Sequence, residues 1–183
     1  MADQTEGPSP SRRRMLQAAL VLPAAAAAAA VGGASPAHAA YNGNIKRSRV
    51  ITRARYWYDR NVDYNGSSYT RDWEGDHTYR QDCSGFVSQC WHTAGSYSTR
   101  SLPEISRQKP WDNLKPGDIL NKAAAYPNGH VMLFEKWSGE GPGLIRAYEL
   151  TTAVDGMRCK TYAVSDLRAR GYVPRQYHRI VAG

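Results

Sequence analysis

The chain has 183 residues, with 24 Lys and Arg against 16 Asp and Glu, for a formal charge of +8. That length allows one domain with a single core, and no internal repeat or long linker divides it. The charge points to anionic partners, yet the basic residues are scattered and no nucleic-acid motif accompanies them, which excludes a dedicated nucleic-acid reader.

In chain order, residues 11–17 ("SRRRMLQ") precede the apolar run "AALVLPAAAAAAAVGG" and the small-x-small site Ala37-His38-Ala39. A charged start, a short apolar stretch and such a site predict a signal peptide over 1–39, too short and too Ala-rich for a stable membrane anchor. Ser11 with Arg12 and Arg13 resembles a twin-arginine leader; an ordinary Sec leader is the alternative. Cleavage after Ala39 would leave a single domain over 40–183. The leader removes Arg12, Arg13, Arg14, Asp3 and Glu6, so 21 basic and 14 acidic residues remain, about +7. A basic exported protein is expected to be held near anionic wall polymers. All 12 Tyr and 5 Trp lie in this part, and amphipathic rings suit a groove for peptide or sugar as well as ordinary packing.

Residues 44–63 place Ile45, Ile51, Ala54, Tyr58 and Val62 near helical spacing, with Asn44 as the N-cap. The Gly-, Ser- and Tyr-rich stretch 64–81 reads as an irregular loop. A second helix is expected from Asp82 as cap, with Phe86, Val87, Cys90 and Ala94 on one face and Gly95 as its stop. Residues 101–118 read as another loop. Beyond them "DILNK", "HVMLFEKW", "GLIRAYEL" and "RCKTYAV" are predicted strands, "SDLRARG" a short helix and "YVPRQYHRI" a final strand. Helices first and strands afterwards predict an α+β fold, the helices on one face of an antiparallel sheet.

Cys83 falls in the first turn of the second helix, where free N–H groups and the positive dipole end stabilise a thiolate. The small Ser84 and Gly85 beside it would admit a substrate backbone, and helix-end N–H groups could hold an oxyanion. On position alone a buried structural cysteine is an equal reading. Cys90, two turns deeper, belongs to the core. Of the four histidines after the leader, His77 and His178 lie in polar segments, and His92 sits on the wrong side of its helix. His130 opens the apolar strand "HVMLF", and an imidazole at the mouth of a buried strand needs a reason; a thiol on the packed helix is one.

The motifs "DCSGFVSQCW", "LKPGDIL" and "GHVMLFEKW", in that order, resemble the NlpC-like cell-wall cysteine peptidases and the related CHAP amidases. The resemblance runs from about Tyr64 to Glu149. It implies a papain-like fold and cleavage of peptide or amide bonds in peptidoglycan, with Cys83 as nucleophile and His130 as general base and acid. It also implies that Tyr64, Asp82 and Ser84 bind substrate, although the Trp-Gly-Gly expected after Tyr64 is missing. Where the family carries a third polar residue this chain has Arg146, which cannot accept an imidazole N–H. Glu149, matching a CHAP-type carboxylate, is therefore expected to orient His130, with Asp155 as the fallback.

No cofactor is expected, and no CxxC, HxxxH or HExxH supports a metal site. Outside the cell the two remaining thiols, Cys90 and Cys159, are expected to pair. The expected protein is a monomeric, secreted wall hydrolase. Acyl transfer by the same Cys–His pair is the alternative within enzymes, and a non-catalytic wall-binding or toxin-like module the alternative outside them.

Overall fold

The computed structural model describes residues 40–181; residues 1–39, where a leader is expected, and the last two residues lie outside the described residues. Helix α1 spans Arg47–Asp59, starting two residues later than the sequence places it. Asn44 does not cap it. Lys46 holds that position, because Ile45 and Lys46 are drawn off into strand β1, which pairs in parallel with β10 (Ile180–Val181). The stretch read as a loop at 64–81 is instead an antiparallel hairpin, β2 (Asn65–Arg71) and β3 (Thr78–Gln81). Its polar faces, with little to bury, hid it from a hydrophobic pattern.

Helix α2 spans Cys83–Cys90, with Asp82 as its N-cap. It ends before Gly95: His92 takes the left-handed conformation, at φ 56°. There the N–H of Thr93 bonds Ser88 O and that of His92 bonds Gln89 O, a Schellman closure. Beyond it, β4 (Ser106–Gln108) lies in the second predicted loop. It pairs with β9 (Val173–Tyr177) and forms the edge of a six-stranded sheet. The others are β5 (Ile119–Lys122), β6 (His130–Trp137), β7 (Leu144–Leu150) and β8 (Met157–Ala163), at the places where the sequence predicts strands. The order β4-β9-β5-β6-β7-β8 is antiparallel throughout, and the fold is α+β.

Helices occupy both faces, a correction to the one-sided packing expected. Val50, Ala54 and Trp57 of α1 and Phe86, Val87 and Cys90 of α2 share a core with Val131 and Leu133 of β6. On the opposite face Leu167 of α3 (Val164–Ala169) packs with Met132, Phe134 and Ile145. Burial on both sides is why β6 reads as an unbroken apolar run rather than an alternating one. Its first residue, His130, is left at the end of that run. Among the described residues no helix is long and apolar enough to cross a membrane.

Candidate active site

Cys83 is the first residue of α2 and is 8% exposed. The preceding strand delivers it there tightly: a Cβ on Gly85 would lie 1.9 Å from the Arg80 carbonyl oxygen. Gly85 is therefore small because β3 crosses it, and not to admit a substrate backbone. Gly129 is under the same constraint before His130, since a Cβ would meet the Ala124 carbonyl oxygen at 2.1 Å.

His130 lines the same cleft as Cys83, close enough for the thiol to favour its charged form, and its Nε2 lies 2.6 Å from Oε2 of the Glu149 carboxylate. Glu149 is next to Tyr148, the register partner of Leu133, so it sits diagonally across the sheet from His130, within reach of long side chains. Its other oxygen accepts from Arg158 Nε at 2.8 Å and from the Tyr162 hydroxyl. Burial alone would push the Glu149 carboxyl up. The bonds from His130, Tyr162 and Arg158 outweigh it and bring the group down to about 2. An ionised carboxylate only accepts, so Nε2 carries the proton in this bond and Nδ1 is left for the thiol. Burial likewise opposes charge on His130, but Cys83 and Glu149 raise it to about 9.

Around this trio is a cleft of about 590 Å³, walled by Tyr64, Lys122, Tyr126, Arg170 and Tyr172. Tyr64 is thus in the cleft as expected of a contact residue. Burial, together with the nearby Cys83, Asp82 and Tyr126, pushes its phenol up. Asp82 and Ser84 do not line the cleft, in contrast to the expectation for substrate contacts. The Asp82 carboxylate accepts from Gly85 N at 2.7 Å, from Ser84 Oγ at 3.0 Å and from Arg80 Nε. Arg80 also reaches Ser84 Oγ at 3.1 Å. With its lone pairs occupied from within, Asp82 serves the helix end.

Arg146 faces away from His130 and pairs with Glu135 at 3.1 Å. Asp155 is exposed in the β7–β8 turn, 3.2 Å from Arg158 and on the far side of it from Glu149. The expected disulfide is absent: Cys90 and Cys159 are free thiols. Cys90 points into the helix core, whereas Cys159 lies on β8 beside Arg146 and Glu135, at 3.4 and 3.5 Å.

Arg158, Tyr162, Lys122, Arg170 and Tyr172 escaped the sequence reading. Arg158 had a signal: counting outward from the turn at 151–156 sets it opposite Glu149. Asp72, Glu74 and His92 also gather within 4.8 Å of one another, a possible ligand set for a cation. The cation these acids hold is the protein's own, since Arg53 pairs with both.

No family model matches the chain, and no curated protein matches it. Among solved structures, an NlpC/P60 family protein from Bacillus cereus ATCC 10987 is similar at 16% identity and a TM-score of 0.49. The match covers 73% of this chain but 41% of that protein, so the chain spans less than half its length. At this identity the likeness assigns no role to any residue.

Proposed function

We propose that the protein is an exported cysteine hydrolase, papain-like in its catalytic arrangement, that cleaves peptide or amide bonds in bacterial peptidoglycan. The observation that carries this reading is His130 held by the Glu149 carboxylate in the same cleft as the Cys83 thiol. Cys83 Sγ attacks the carbonyl carbon, its proton residing on His130. Negative charge builds on the carbonyl oxygen beside the N–H groups of Cys83 and Ser84, at the helix end that the Asp82 cap leaves open. The C–N bond breaks as His130 returns the proton to the leaving amine, and a thioester remains. Water, deprotonated by His130, then releases the carboxylate and restores the thiol. Glu149 keeps the imidazole in the required tautomer throughout. Export rests on the leader-like sequence at 1–39, and peptidoglycan as substrate rests on the family resemblance of the three motifs.

Digestion of purified peptidoglycan, with fragments identified by mass, tests the reading. New amine and carboxyl ends should appear with the wild-type protein and not with folded Cys83→Ala. Equal digestion by Cys83→Ala would return the cysteine to a structural role and end the proposal.

A further inference from the structure

A second concavity, of about 440 Å³, shares no lining residue with the catalytic cleft. Its cations are Arg47, Arg107, Lys109 and Lys115, and Asp118 is the acid that Arg47 and Lys109 meet. Asp118 is fully buried beneath them. It accepts from Arg47 Nη1 at 2.8 Å, from Lys109 Nζ at 2.6 Å and from the Lys115 N–H at 2.9 Å. Lys109, itself 8% exposed, is thereby fixed in place, while Arg107 and Lys115 extend from the rim into solvent. Four cations around one acid leave an excess of three positive charges, with Arg47 and Lys109 held on Asp118 before any ligand arrives.

Helix α1 adds an independent sign of an anion. It begins at Arg47 with no side-chain cap and no acid in its first turn. Lys46 and Arg47 stand instead at the positive end of the dipole, where cations are disfavoured and anions bind. A smaller depression of about 380 Å³ adjoins the groove at Gln108, Lys109 and Pro110 and reaches Tyr172, which also walls the catalytic cleft.

We propose that this groove binds a chain of phosphate groups, namely the polyol-phosphate polymers of a bacterial wall, and so holds the wall beside the cleft. Arginine forks and fixed ammonium groups suit phosphate oxygens. Among the described residues no aromatic one lines the groove itself, Trp111 and Tyr172 standing only in the adjoining depression, so nucleic-acid bases would find no stacking platform between the cations. The choice of a wall polymer rests on the proposed cell-wall function; the anion site itself rests on the charges.

The test is binding of soluble poly(glycerol phosphate), measured by calorimetry across a salt series with the full protein carrying Cys83→Ala. Arg107→Glu with Lys115→Glu should weaken binding at least tenfold at low salt. It should also flatten the salt dependence, by about 1.4 in slope for two lost contacts to a flexible chain. Lys136→Glu with Lys160→Glu, an equal charge change on the exposed part of the sheet, should have little effect; an equal loss there would reduce the effect to net charge and overturn the site. Single-stranded DNA of matched charge should bind more weakly, and binding as tight as the polyol polymer would overturn the assignment to a wall polymer. On the wild-type catalytic background the groove variant should still cleave small soluble wall peptides at the parental rate. Failure of wild type to cleave them would sink the proposed hydrolase and leave the binding result intact.

Discussion

Two histidines, His92 buried and His130 half-buried, each near a carboxylate and an arginine, are driven in opposite directions. His92 closes α2 with its ring against Tyr41 and its Nε2 unpartnered, 4.0 Å from Asp72. Burial, aided by the Arg53 charge, lowers it to about 4. His130 is also opposed by burial, yet Cys83 and Glu149 raise it to about 9. The difference is not the presence of an acid but whether the acid turns an oxygen to the ring. Asp72 gives its Oδ2 to Arg53 at 3.2 Å and Oδ1 to Gly75 N at 2.9 Å. Glu149 is just as heavily engaged, but Arg158 and Tyr162 both bind Oε1, so Oε2 remains for His130. The first network joins α1 to α2, and the second prepares a proton carrier.

The largest effect should separate the two networks. Cys83→Ala, His130→Ala and their double variant should each slow amide hydrolysis by more than about 10⁴-fold, and the double loss should not exceed the single ones. Arg53→Ala should instead cost about 3–5 kcal/mol of stability in urea denaturation, because it leaves Asp72 buried without its cation and Glu74 with Arg49 alone. Its turnover, measured where it is folded, should stay near wild type. Multiplying losses for Cys83 and His130 would break the pairing.

Glu149→Gln should follow, lowering turnover by about 10²–10⁴-fold. It should also move the alkaline limb of kcat/KM, set near 9 by His130, toward lower pH. An unmoved limb would detach Glu149 from the imidazole.

Stability should show the same contrast, with opposite signs for the histidines. The folded pKa of His130 lies above its unfolded value, so its contribution is full below about 6.5 and lost as pH rises through about 9. That of Glu149 is full above about 4.5 and lost as pH falls through about 2. For His92, depressed in the fold, the unfolded chain takes up the proton first. It therefore costs stability progressively as pH falls from about 6.5 to about 4 and no further below. Thermal melts of His92→Asn, which tolerates the left-handed backbone, should lose that acid decline, and His130→Ala should lose the alkaline one. Identical profiles in the two variants would erase the comparison.

The smallest effect belongs to Asp155→Asn. The residue meets Arg158 from the solvent side, and an exposed pair contributes at most about 1 kcal/mol. A loss of turnover as large as that of Glu149→Gln would shift the orienting role to it.

The strands at 119–122, 130–137, 144–150 and 157–163 were legible because burial in a sheet imposes a pattern on the residues themselves. So was α2, where an Asp cap precedes an apolar helical face. The β2–β3 hairpin and β4 were not, since a polar hairpin and a three-residue edge strand bury too little to mark the sequence. The expected disulfide failed for a related reason: Cys90 on a helix's core face and Cys159 in a strand imply that helix and sheet pack, but not that these two residues meet.

By itself the sequence determined the apolar elements around the cleft and the chemical types: a thiol at a capped helix start, an imidazole at the head of a buried strand, and a carboxylate on the next one. These follow from local propensity and burial, which act over a few residues. Only the tertiary structure decided which acid faces His130, that Asp82 is spent on Arg80 and the helix end, and that Arg47, Lys109 and Lys115 converge on Asp118. Those contacts depend on strand register and on the crossing of distant segments. No spacing along the chain encodes the direction in which a side chain finally points.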